Sequence, residues 1–223
     1  LSGVDKAWRA NLLGVHLLQR EGRSNSLRAT SRVVVRHFQE AVSLQPQNPV
    51  FHFNLVVALL QAGQRDAAKE QARLGLQSLV ALPPESEWVN EPPARFDYDE
   101  FRVGWEKAAW ANVGQPEAEV AAKKQLLRWQ FHSYLAQFTG QVAHPYEAYL
   151  AQPSAVAANA QLGKQLAAAQ LSQEALPYLG QALEGNPFAR ETAALLGQLL
   201  REPQPQLYSL LARDRLRFAQ AMP

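Results

Sequence analysis

The stretch that decides the fold is ANAQLGKQLAAAQLSQEALPYLGQALEGNP, residues 158–187, in which small and large apolar residues alternate at helical spacing. Its motif Leu-Gly-x-x-Leu, at residues 162–166, recurs 34 residues later at residues 196–200. A period of this length is typical of repeats that consist of two helices. We expect Gly163 to let the paired helices approach closely, and we expect Pro187 to mark the exit because proline cannot continue a helix interior.

Two earlier segments follow the same pattern less closely. One is FNLVVALLQAGQRDAAKEQARLGL, residues 53–76, with Gly63 at its turn. The other pairs AWRANLLGVHLLQREG, residues 7–22, with a second helix that carries Phe38. Together these segments resemble the tetratricopeptide repeat (TPR) family, which has the same period and the same alternation of small and large residues. The resemblance implies an all-α, right-handed superhelix of antiparallel helix pairs.

The repeat pattern is lost in the middle of the chain, so we predict three parts. Residues 1–82 form TPR-like repeats, and residues 83–154 form a proline-rich connection followed by an atypical aromatic helical hairpin. Residues 155–223 return to TPR-like repeats and end in a terminal helix that covers the last apolar face. Pro177 falls early in a predicted second helix, which implies a late helix start or a local kink.

The middle part contains RFDYDEFRVGWEKAAWANVGQP, residues 95–116, which is rich in aromatic rings. Phe101 and Trp105 lie four residues apart on one helical stripe, which favours core packing over a ligand site. Trp110 lies off this stripe and is predicted to fill a second interface or to be exposed. Pro116 is predicted in the first turn of the next helix, and Gly140 at its end.

The sequence contains no motif that carries catalytic chemistry. It has no cysteine, which excludes disulfides, thiolate metal sites and a cysteine nucleophile. Its five histidines form no pair at helical metal spacing, and no HExxH, P-loop, GxGxxG or GxSxG motif occurs. Asp97, Asp99 and Glu100 are interpreted as residues of a helix start rather than as a metal or acid–base cluster. We therefore expect no catalytic residue, no cofactor and no metal.

The charge balance argues against nucleic acid as a partner. Twenty-two basic and 20 acidic residues nearly cancel. Arg28, Arg32 and Arg36 form a possible basic row at four-residue steps, which we interpret as a solvated face, with an anionic partner as the alternative. Apolar residues make up 47% of the chain, enough for a packed core, but no apolar run is long enough to span a bilayer. We therefore expect no membrane insertion.

The resemblance also implies where a partner binds. TPR arrays generally bind peptides or protein segments along the concave face formed by their first helices. On that basis the candidate partner-binding residues are His16, Asn54, Gln161 and Lys164. Leu12 and Ala157 stand where peptide-clamping members tend to carry lysine, which argues against recognition of a chaperone's acidic C-terminus. The leading hypothesis is a non-catalytic protein–protein interaction scaffold, with self-association also possible.

A second hypothesis comes from the non-repeat segments, which are FRVGWEKAAWANVGQPEAEVAAKKQLLRWQFHSYLAQFTGQ, NPFARETAALLGQLL and LARDRLRFAQAMP. They resemble the helical part of large bacterial proteins in which a family-2 glycosyltransferase domain accompanies TPR repeats. The chain lacks the alternating strand–helix pattern of such a catalytic domain, and Asp97 and Asp99 are interpreted as part of a helix start, so this resemblance implies an accessory or acceptor-positioning domain without the active site. The chain begins LSGVDKAWRA without methionine, and we expect it to be a processed or excised segment with a cytoplasmic location.

Overall fold

The computed structural model describes residues 3–21, 27–81 and 100–201. Within these ranges the chain forms ten α-helices and no strand, so the prediction of an all-α fold is confirmed. The helices are α1 (Gly3–Glu21), α2 (Leu27–Leu44), α3 (Pro49–Gln61), α4 (Arg65–Ala81), α5 (Glu100–Ala111), α6 (Pro116–Thr139), α7 (Ala143–Ala151), α8 (Val156–Ala168), α9 (Ser172–Gly185) and α10 (Arg190–Arg201). None of these helices is both long and apolar enough to cross a membrane.

The chain divides into two compact units, residues 1–152 and residues 153–223. In the first unit α1 pairs with α2, and α3 pairs with α4. Helix α3 also packs on α2 and α1 of the preceding pair. Each pair therefore covers an apolar face of its neighbour, which is how a helical repeat acquires a core.

The pairing continues into the middle of the chain. Helix α6 pairs with α7 and packs on α4 and α3, just as α3 packs on α2 and α1. Helix α5 precedes this pair and lies against α6. The predicted aromatic hairpin corresponds to α5 and α6, and α7 forms with α6 a pair that extends the stack of helix pairs.

Local sequence signals fix the helix ends in this unit. Asn48 precedes α3, and its side-chain oxygen accepts a 3.0 Å hydrogen bond from the backbone N–H of Val50, which satisfies a free donor of the first turn. Pro116 occupies the first turn of α6, as predicted. Backbone N–H groups of the first turn have no acceptor within the helix, so proline loses no hydrogen bond there. Gly140 ends α6 at φ 64°, a left-handed conformation that favours glycine, so this prediction is also confirmed.

The second unit, by itself, contains the repeat that decides the fold. Helix α8 pairs with α9, and α10 packs on both. Gly163 lies against Leu179 so closely that a Cβ atom at residue 163 would stand 2.7 Å from Leu179 Cγ. The expectation that Gly163 permits close approach is confirmed. The core residues of the pair are Ala158, Leu162, Leu166, Ala175, Leu179 and Ala182.

Pro177 lies inside α9, which begins five residues earlier at Ser172. The helix therefore does not start late, at or after Pro177. The proline ring is exposed, so it occupies the solvent side of the helix. The predicted terminal covering helix falls within residues 202–223 and lies outside the described residues, as does the proline-rich connection predicted at residues 83–96.

Candidate functional site

The predicted partner-binding residues occupy different environments. His16 is exposed on α1, the first helix of its pair. Gln161 and Lys164 lie on α8, where both side chains are partly exposed. Asn54 is fully buried in α3, whose residues from Pro49 to Leu59 are all buried. Three of the four candidates are therefore accessible to a partner, and Asn54 is not.

Asn54 instead holds two first helices together. Its side-chain nitrogen Nδ2 donates a 2.7 Å hydrogen bond to Oδ1 of Asn11 on α1, and Asn11 is also fully buried. A buried amide needs such partners because an unsatisfied polar group is costly away from water. Asn54 therefore does not lie on an exposed face, and its side chain contacts α1 instead. The sequence could not show this, because Asn11 is 43 residues away along the chain.

Lys164 connects two helices of the second unit. Its Nζ atom donates a 2.9 Å hydrogen bond to Oε2 of Glu191 on α10, and both side chains are exposed to solvent. The hydrogen bond and the charge of Lys164 lower the pKa of the Glu191 carboxyl, so this group stays ionised. Gln161 precedes Lys164 by three residues, which places both on neighbouring positions of one helix face. Glu191 is thus a neighbour of the candidate residue Lys164 that sequence reasoning missed.

The aromatic residues of the middle segment form a buried cluster between α3, α5 and α6. The ring of Phe101 stacks on Phe53, with 4.8 Å between ring centroids. Phe101 also lies 5.7 Å from Trp105 and 6.4 Å from Trp129, measured between centroids. Phe131 and Tyr134 each approach Phe53 to 6.3 Å. The interpretation of Phe101 and Trp105 as core residues is confirmed.

Trp110 and Val113 lie outside this cluster, at the end of α5 and in the turn after it. Trp110 is 80% exposed and Val113 is 75% exposed. Of the two outcomes predicted for Trp110, a second interface or exposure, exposure is the one observed. Trp88 of the proline-rich connection lies outside the described residues, as do Asp97 and Asp99.

A buried cation, Lys123 of α6, contacts α5. Its side chain is only 4% exposed, and its Nζ atom lies 2.5 Å from Oε1 of Glu119, one turn earlier on α6. The same atom lies 4.9 Å from the centre of the Trp105 ring on α5. Ion pairing and cation–π contact together compensate for the loss of hydration. Sequence reasoning missed this residue because it stands beside Lys124 in an ordinary run of lysines.

Two histidines that are distant in sequence meet between α6 and α7. The Nδ1 atoms of His132 and His144 lie 3.1 Å apart. Burial, and then the neighbouring His144, lower the pKa of His132 to about 4, while Glu147 acts in the opposite direction. Burial also lowers the pKa of His144. The described residues contain no group of three or more potential metal ligands around this pair.

A cleft of about 410 Å³ opens between α4 and α6. One wall comes from α4 and is apolar, with Leu76, Leu79 and Val80. The other wall comes from α6 and is polar and basic, with Lys124, Gln125, Arg128 and His132. No pattern in the sequence singled out this cleft, because its two walls lie about 50 residues apart along the chain.

The basic row predicted from sequence lies elsewhere, on α2. Arg32 and Arg36 are exposed there, which agrees with their interpretation as a solvated face. The side chain of Arg28 lies outside the described residues. The row therefore offers two described cations rather than three.

Comparisons with known proteins return little. No family model matches the chain, and no curated protein matches it. Among solved structures, one similar chain is YrrB, described as a TPR protein with an unusual peptide-binding site. It is 14% identical, the match covers 81% of this chain and 87% of that one, and the TM-score is 0.32. No comparison links the chain to a glycosyltransferase.

Proposed function

We propose that this chain is a non-catalytic protein-interaction scaffold that binds a peptide or protein segment on the surface shared by α8 and α10. The observation that carries the proposal is the contact between Lys164 and Glu191, which places polar side chains of two first helices on one exposed surface. Gln161 lies on the same stretch of α8 and is partly exposed. Rigid helices present such groups without a large ordering cost on binding.

The chemistry of this surface suits exchange of one ion pair for another. The Lys164–Glu191 pair is exposed, so it contributes little to stability. A partner carboxylate can therefore replace Glu191 as the acceptor for Lys164, and a partner cation can bind the ionised Glu191. Gln161 can fix the register of the bound segment because its amide both donates and accepts hydrogen bonds.

His16 is retained as a candidate contact of the first unit. It is exposed on α1, the first helix of its pair. Asn54 is withdrawn from the candidate set because it has no exposed surface. Binding at His16 is tested separately, with His16→Ala alone, because the residue belongs to the other compact unit.

The test is affinity capture with the purified chain, read by quantitative mass spectrometry. The test variant carries Gln161→Ala together with Lys164→Glu. A matched control carries Gln173→Ala together with Glu184→Lys on the exposed side of α9. Both variants change one amide and reverse one charge, and we expect circular dichroism to show that both remain folded.

The proposal predicts a protein that is captured by the parent chain and by the α9 control but is lost from the α8 variant. Equal capture by all three proteins would show that the α8–α10 surface is not the binding site. Analytical ultracentrifugation over a range of concentrations then tests self-association, which predicts a mass that rises with concentration. A captured copy of the chain itself would make the partner a second molecule of this protein.

A further inference from the structure

The contact between His132 and His144 joins two helices of the first unit. His132 lies in the second half of α6, and His144 lies in the first turn of α7. Their Nδ1 atoms are 3.1 Å apart and their ring centroids are 5.4 Å apart, so the two nitrogen atoms face each other. Two lone pairs would repel at this distance, so one Nδ1 atom carries a proton that the other accepts.

The spacing of these two nitrogen atoms suits a shared metal ion. Histidine nitrogen binds Zn²⁺ at about 2.0–2.1 Å. An ion at that distance from both Nδ1 atoms makes an N–metal–N angle of about 100°, which lies between the angles of octahedral and tetrahedral sites. Such an ion lies beside the line that joins the two atoms, so the rings must turn, and neither ring is fully buried. Helical spacing does not reveal this pair, because the histidines lie on different helices.

Both imidazoles are available as neutral ligands. Burial lowers the pKa of His132 to about 4 and also lowers the pKa of His144, so protons compete weakly for either ring near neutral pH. A bound ion takes the place of the shared proton, which moves to Nε2 of the same ring, and both imidazoles stay neutral. His132 also lines the cleft between α4 and α6, which gives an ion a path to this residue.

The charges around the pair are compatible with a bound cation. Glu147, three residues after His144 on α7, raises the pKa of both histidines. Its effect on His132 is larger than the opposite effect of Arg128, and its effect on His144 is larger than that of Lys69. Glu147 pairs with Arg128, so it acts through its charge rather than as a ligand. The described residues thus supply two ligands, and water completes the coordination of an ion.

We propose that His132 and His144 bind one divalent transition-metal ion that imidazole prefers, such as Zn²⁺ or Cu²⁺, through their Nδ1 atoms, and that this ion clamps α6 to α7. Mg²⁺ and Ca²⁺ prefer oxygen ligands and do not fit this pair. An ion that binds the folded pair stabilises the chain in proportion to its occupancy, so the clamp responds to the metal concentration. The proposal goes beyond the α8–α10 surface, because it uses residues of the other compact unit.

The experiment measures binding of Zn²⁺ to the purified full chain near neutral pH by isothermal titration calorimetry. His132→Gln and His144→Gln each remove one ligand, and the matched control His37→Gln removes a histidine of α2. His144→Gln is the decisive variant, because its ring lies at the start of a helix rather than within one. Electron paramagnetic resonance of the Cu²⁺-loaded chain counts the coordinating nitrogen atoms. No thiolate contributes to either signal, because the chain contains no cysteine.

We expect one Zn²⁺ ion per chain, with an affinity at least about tenfold lower in both test variants and unchanged in His37→Gln. Zn²⁺ should raise the unfolding temperature of the parent chain more than that of His144→Gln. The Cu²⁺ spectrum should show two nitrogen ligands. Equal affinities of His144→Gln and His37→Gln would overturn the proposal, as would the absence of saturable binding by the parent chain. Neither outcome depends on Gln161 or Lys164, so the scaffold proposal stands or falls separately.

Discussion

The substitution Gly163→Ala tests whether close helix approach, rather than helix propensity, governs the repeat. An added Cβ atom would lie 2.7 Å from Cγ and 2.8 Å from Cδ2 of Leu179, and 3.2 Å from the Leu179 backbone nitrogen. Carbon contacts are favourable near 3.5–4.0 Å. The backbone of α9 cannot rotate away as a side-chain end can, so the two helices must separate.

The repeat-equivalent glycine supplies the comparison. Gly197 stands 34 residues after Gly163, and a Cβ atom there would meet nothing within 4 Å. Replacing glycine with alanine inside a helix stabilises it by about 0.5–1 kcal/mol, and this gain is common to both positions. Overpacking costs about 1–3 kcal/mol and applies only to Gly163. The two variants should therefore differ by about 1–3 kcal/mol, with Gly197→Ala the more stable.

The assay is denaturation by urea, followed by far-ultraviolet circular dichroism. A Gly163→Ala chain that is as stable as the Gly197→Ala chain would refute the reasoning, because the shared propensity term would then account for both. Combining Gly163→Ala with Leu179→Ala gives a second check. Removing the Leu179 side chain relieves the clash, so the double variant should lose less stability than the sum of the two single changes.

The remaining predictions concern the first unit and are measured by the same denaturation assay. Phe101→Ala should lower the free energy of unfolding by about 3–5 kcal/mol because the ring is fully buried. Trp110→Ala should change it by less than about 0.5 kcal/mol because that side chain is exposed. Similar losses for the two variants would contradict the assigned cluster. Asn54→Ala should lower the free energy of unfolding by about 1–3 kcal/mol, because Asn11 loses this hydrogen-bond partner. Adding Asn11→Ala to that variant should lower it by less than Asn11→Ala does alone. The pKa of His132 is about 4 in the folded chain and 6.5 in the unfolded chain, so between these values the unfolded chain binds the proton more readily. The stability that neutral His132 contributes is therefore complete above pH 6.5 and declines as the pH falls toward 4. After allowance for its partial exposure, we expect a loss of about 1–2 kcal/mol near pH 5, and His132→Gln should flatten this dependence; an unchanged pH profile would exclude His132 as the cause.

The candidate site was only partly predictable. Gln161 and Lys164 were expected from the resemblance to TPR repeats, and both are partly exposed on α8. Glu191 does not follow from that resemblance, since its contact with Lys164 spans 27 residues. The same resemblance implied that Asn54 lies on an open face. That position is buried because α1 approaches α3 closely enough for Asn11 to reach it.

The sequence by itself determined the helices, most of their ends and the close pairing of α8 with α9. These features depend on neighbours within one or two turns, on proline and glycine at helix ends, and on a glycine where two backbones meet. Only the tertiary structure decided that α6 and α7 extend the stack of helix pairs, that His132 meets His144, and that a basic and an apolar wall face each other across one cleft. Those outcomes depend on contacts between residues far apart in the chain, and a local period carries no information about which distant side chains will face each other.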